Sequence, residues 1–225
     1  MKAISCLIFL LLALSLSSCN AFFAQTPGCK QMVSSELRAQ IGREFTVDDL
    51  LTWISTTYQI PREDISVFSI GDGDEVSLSW KVMRVEYQAD ISAARLDSVA
   101  LRFFQPMKPT IAEVIACFGE PDLYSARYGL VSVGGPQLDL DLLFPTQGIF
   151  AWGTIYFEMN TRQPPVVTPN FPTASLIFKQ PGPADQFTRF LCWDSGSEVC
   201  QEIAASYRPW VKDWEAIQIG PQLQQ

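Results

Sequence analysis

The chain has 225 residues, with 16 basic and 24 acidic side chains, no histidine and a net charge of −8. That balance lacks the basic footprint of nucleic-acid or anionic-lipid binding, and the missing histidine excludes Ser-His-Asp and Cys-His relays and any histidine-ligated metal. The length accommodates one large domain or two small ones.

Residues 1–18 read as an export leader. Lys2 supplies the positive start, and the apolar run 4–16 is shorter than the ~20 residues a spanning helix needs. The run ends in Leu16-Ser17-Ser18-Cys19. This resembles the lipobox of bacterial lipoproteins, and the resemblance implies a lipidated Cys19 as the new N-terminus. Two or more acyl chains would then hold the protein to the extracytoplasmic face of a bacterial membrane. The competing reading is an ordinary leader cut near Ala21, with Cys19 discarded.

Residues 19–30 form a tether broken by Pro27-Gly28, and 31–41 fit a helix through Met32, Leu37 and Ile41. Thr46 and Asp49 then make a capping box ahead of the stripe Val47, Leu50, Leu51 and Ile54. Residues 65–70 are a strand candidate that runs into the turn Gly71-Asp72-Gly73-Asp74. Read as a calcium loop, that turn fails, because the twelfth position from Asp72 is Met83 rather than glutamate. Residues 76–89 read as one long strand with a bulge at Val82-Met83, and 96–104 as the next, stopped by Gln105-Pro106.

The plan then repeats. Thr110 and Glu113 form a second capping box, Ile111, Val114, Ile115 and Phe118 form the apolar stripe, and Gly119 and Pro121 end the helix. Strands are expected at 123–133, 137–144, 149–158 and 174–178, with a proline-rich spacer at 162–172. A looser third helix uses Phe187, Phe190 and Leu191, and 198–215 reads as short helices broken at Pro209.

Two strands carry candidate chemistry. In 137–144, Leu138, Leu140 and Leu142 point inward, leaving Asp139 and Asp141 on a wet face. Paired carboxylates can do acid–base work, but the alternation alone accounts for them. In 149–158, Phe150, Trp152 and Tyr156 share one face, opposite Ile149, Ala151, Ile155 and Phe157. That aromatic face is either covered by the protein itself or an exposed partner-binding surface.

With Cys19 lipidated, Cys29, Cys117, Cys192 and Cys200 remain. An even number in an exported chain implies two disulfides, with three possible connectivities. Cys192–Cys200 is the local choice, and Cys29–Cys117 would then tie the tether to the central helix. A buried free thiol at Cys117 is the alternative.

The segment Thr110–Asp122, T-I-A-E-V-I-A-C-F-G-E-P-D, resembles the helix-and-turn signature of the BamE (SmpA/OmlA) lipoproteins and the related β-lactamase-inhibitor-protein-like domains. The resemblance implies domains that bind other proteins and catalyse nothing. The expected fold is α+β: tandem repeats of a short helix followed by antiparallel strands, over 31–107 and 108–181, with helices on one face of a curved antiparallel sheet and a helical segment at 182–225. The expected role is a lipid-anchored module that binds a protein partner in the cell envelope, with no nucleic acid, metal or cofactor. A cell-surface small-ligand protein or carboxylate-dependent enzyme is the alternative class.

Overall fold

The computed structural model describes residues 28–29, 32, 35–70, 75–131, 135–158, 166–190 and 198–221. The leader, the lipobox with Cys19, most of the tether, the Gly71–Asp74 turn, Gly134, Leu191 and Cys192 lie outside the described residues.

Both capping boxes form. Helix α1 is Ser35–Arg38, α2 is Val47–Tyr58 and α3 is Ile111–Phe118. The Asp49 backbone N–H donates to Thr46 Oγ1 at 3.1 Å, and the Glu113 N–H to Thr110 Oγ1 at 3.2 Å. At α3 the remaining first-turn donors find partners in a distant loop: Ile111 N–H donates to the Phe171 carbonyl and Ala112 N–H to the Pro169 carbonyl. The proline-rich stretch is therefore more than a spacer. It satisfies a helix N-terminus that would otherwise be orphaned, and it buries Val167 and Phe171 in the core.

The strands are β1 Ser66–Ile70, β2 Glu75–Val82, β3 Val85–Ser92, β4 Arg95–Phe103, β5 Leu123–Val131, β6 Gly135–Phe144, β7 Ile149–Tyr156, β8 Ser175–Lys179, β9 Arg208–Pro209 and β10 Ile219–Pro221. The bulge expected at Val82-Met83 is instead a hairpin: β2 and β3 pair antiparallel, Val82 against Val85, with Met83 at φ +55°. The next hairpin turns on Ala93-Ala94, both at positive φ. Two successive positive φ values are what a type I′ turn demands, and alanine gives no sequence sign of it.

The tandem-repeat expectation fails at the level of the sheet. All ten described strands belong to one sheet, in the order β1-β2-β3-β4-β8-β7-β6-β5-β10, with β9 also pairing β5. The reason is edge chemistry. β4 would expose an unpaired edge if the first unit closed on itself, but it pairs antiparallel with β8, so the two halves share one hydrogen-bonded sheet. The sheet is mixed, because β10 runs parallel to β5. Helices are few and do not keep to one face.

On the first face, α2 and α3 bury Leu50, Ile54, Ile111, Val114 and Phe118 against Leu78, Trp80, Val99, Leu101, Leu140, Leu142 and Phe178. Trp80 and Tyr87 stack there, with ring centroids 5.4 Å apart. Cys29 and Cys117 are disulfide-bonded on this side, closing a sequence separation of 88 residues. On the second face, helices α4 Ala184–Phe190 and α5 Glu198–Ser206 cover one end only, where Phe187 packs with Leu143 and Phe150. Cys200, in α5, is also disulfide-bonded, and its partner falls outside the described residues. Among the described residues no helix is long and apolar enough to cross a membrane.

Candidate functional site: the second face of the sheet

Register defines this face. Cross-strand pairing lines up Lys81, Glu86, Arg102, Ser175, Trp152, Asp141 and Ser125 across seven strands. Side chains in such a row are close neighbours on one side of the sheet. The row passes from an end covered by α4 and α5, at β5–β6, to one that no described helix covers, at β2–β4, and Trp152 stands at the boundary.

The covered end holds the two aspartates. They are not on a wet face: Asp139 is 5 % exposed and Asp141 1 %. Period-two alternation assumes solvent on one side, but the end of α5 closes over these strands. Asp141 Oδ2 accepts from Arg127 Nη2 at 2.6 Å and from the Tyr207 hydroxyl at 3.1 Å. Asp139 accepts from Thr154 Oγ1 and, at 2.8 Å, from Gln137 Nε2. Ser125 and Ser206 hydroxyls bond at 2.7 Å, which fastens the same helix end to β5. Burial pushes the Asp141 carboxyl up to about 6, against the pull of the Arg127 guanidinium and the Tyr207 hydroxyl. Tyr207 is pushed well above its ordinary value, first by burial and then by the neighbouring Asp141 charge. Asp141 Oδ1 and Arg127 Nε have no hydrogen-bond partner among the described residues. The ensemble is a buried ion pair that clamps α5 to the sheet. Among the described residues, no cluster of His, Cys, Asp or Glu could hold a metal.

The structure separates the three aromatic residues of β7. Phe150 is buried under Phe187, so it is not at the surface. Trp152 is 37 % exposed and Tyr156 64 %. Sequence reasoning missed Phe104 and Phe68, which are 46 % and 56 % exposed. Phe68 sits opposite Ser77 and belongs to this face, while the Lys81 ammonium lies over the Phe104 ring, 5.8 Å from its centroid. The polar floor between them is self-satisfied: Asp90 accepts from Ser77, Gln88 and Ser98 at 2.7–3.0 Å. Arg102 pairs with Glu86 at 3.8 Å, and Lys179 with Asp97 at 2.9 Å. The face thus combines exposed aromatic rings with charges that are paired within the protein.

No family model matches the chain, and no curated protein matches it. Among solved structures it is similar to a cysteine-rich secretory protein from Staphylococcus aureus, with a TM-score of 0.31 and 10% identity. The likeness covers 63% of this chain and 45% of that one, so the chain spans less than half of that protein's length.

Proposed function

We propose that the protein is a membrane-anchored, extracytoplasmic lipoprotein that acts without catalysis, as a protein-binding or envelope-assembly module. Its anchor is the lipid on Cys19, and its partner is an envelope protein that docks on the uncovered part of the second sheet face, centred on Trp152 and Tyr156. The observation that carries this reading is the pair of exposed aromatics on a regular strand, which the buried Thr154–Asp139 bond ties to its neighbour. Exposed aromatic anchors on a rigid platform are the usual energetic centre of a protein interface.

The disulfide supports an orientation. Cys29 lies ten positions after Cys19, a reach of at most about 35 Å. Cys29 is bonded to Cys117 in α3, on the first face. The tether therefore leaves the domain from the helix layer, opposite the second face.

The test is crosslinking in intact producing cells, comparing the native chain with Trp152→Ala and Tyr156→Ala. Loss of one dominant crosslinked protein, with unchanged thermal unfolding, would support the surface. Equal capture by the variants would remove it. Cys19→Ser separately tests the anchor, because a lipoprotein so altered moves to the soluble fraction. A second reading, carboxylate chemistry at Asp139 and Asp141, has the raised Asp141 carboxyl behind it. Its position beneath α5, already paired with Arg127, favours a structural role.

A further inference from the structure

The two ends of the sheet are protected differently. At one end, β10 has three residues and finishes in Pro221, while β9 has two and contains Pro209. Short edge strands carrying proline resist further strand addition, because proline offers no ladder donor. At the other end, β1 has five residues, S-V-F-S-I, with no charge, proline or glycine. It pairs with β2 without a register break, and among the described residues its outer edge pairs with nothing. Ser66, Val67, Phe68 and Ser69 are all exposed. An uncharged, unbulged strand edge with apolar side chains is a template for another strand.

We propose that β1 is a homodimerisation edge: two copies of this chain pair β1 with β1 antiparallel, about a two-fold axis at Phe68. The partner chemistry follows from the edge, whose unpaired backbone N–H and C=O groups accept an extended strand and nothing else as completely. A second copy fits for three reasons. Antiparallel pairing about Phe68 sets the two Phe68 rings opposite each other, a favourable cross-strand pair. It sets Val67 opposite Ser69, so no two charged side chains meet. The arrangement also limits growth: each copy uses its β1 edge, and the short, proline-bearing strands β9 and β10 at the other end of the sheet discourage extension into a filament. Because Phe68 lies on the second face, pairing would join the second faces of both copies into one continuous surface. A five-residue edge buries less than a standard interface, so the dimer is expected to be weak and concentration-dependent.

The experiment is sedimentation equilibrium of the purified full chain over a wide concentration range, with detergent micelles in molar excess. It is paired with a photo-crosslinking amino acid at position 68 and mass spectrometry of the products. The expected result is a reversible monomer–dimer equilibrium with crosslinks from position 68 into residues 66–70 of a second copy. Phe68→Lys should weaken dimerisation at least tenfold. So should Val67→Lys, on the opposite face of the strand, each with an unchanged circular dichroism spectrum. A monomer at every concentration would overturn the proposal. So would a dimer indifferent to both substitutions, or crosslinks from position 68 that fall outside residues 66–70 of a second copy.

Discussion

Replacing Arg127 with methionine preserves most of the side chain's length but leaves the Asp141 carboxylate buried without its cation. In the native protein that carboxyl titrates at about 6 rather than the ordinary 3.8, so folding favours its protonated form. The group therefore contributes stability below pH 3.8 that is lost as pH rises through 6, a swing of about 3 kcal/mol at ~1.36 kcal/mol per unit. Breaking a buried pair costs about 3–5 kcal/mol while the survivor stays ionised, which would raise the carboxyl by a further two to four units, roughly. The variant's Asp141 would then be neutral near pH 7. At pH 5 both folded proteins hold the proton, and the difference shrinks to a lost hydrogen bond, about 1 kcal/mol. At pH 8 only the native protein gains from ionisation, and the difference grows to about 3–4 kcal/mol. Urea unfolding followed by circular dichroism at the two pH values, with disulfides intact, reads this directly. In an Asp141→Asn background the pH dependence of the Arg127→Met effect should vanish. An Arg127→Met penalty equal at pH 5 and pH 8, or larger at pH 5, would refute the assignment of Arg127 as the counter-ion that permits a charge under α5.

Two further effects follow from covalent and backbone geometry. Replacing Cys29 and Cys117 together with serine opens an 88-residue separation and should lower stability by up to about 4 kcal/mol, read as a fall in thermal midpoint under non-reducing conditions. Gly153→Ala places a Cβ 2.2 Å from the Pro172 carbonyl oxygen and 2.9 Å from the Phe171 ring, so the capping loop must move away from β7. The expected cost is about 1–3 kcal/mol, with faster hydrogen exchange at Ile111 and Ala112, whose N–H groups that loop satisfies.

What was legible in the sequence was local. Thr46 with Asp49, and Thr110 with Glu113, carry their own partners three residues away, so the capping boxes could be read directly and both form. The Met83-Arg84 and Ala93-Ala94 turns were illegible because neither uses a residue that favours positive φ. The surrounding pairing forces those angles instead. Asp139 and Asp141 were misplaced for a different reason. Alternation says which side of a strand a residue takes, but whether that side is wet depends on Ser206 and Tyr207, more than sixty residues later. The tandem units failed in the same way. Each half reads consistently alone, and only the pairing of β4 with β8 reveals that neither half has a separate sheet.

The unequal cover of the second face explains why the buried and exposed residues of β7 divide as they do. Phe150 meets Leu143 across the strand and Phe187 above, so α4 has an apolar seat there. Two residues on, Trp152 meets Asp141, whose carboxylate is engaged by Arg127 from the neighbouring strand and by Tyr207 at the end of α5. Two residues further, Thr154 is held by Asp139, which leaves Tyr156 beyond the edge of the cover. The Thr154–Asp139 bond ties β7 to β6 at the margin of the helical cover. An aromatic side chain at that margin has a rigid backbone and an exposed ring, so little ordering entropy opposes its use in binding. This separates the two kinds of residue experimentally. Substitutions at Arg127 or Asp141 should move stability and its pH dependence, whereas Trp152→Ala and Tyr156→Ala should move partner capture and leave unfolding in place.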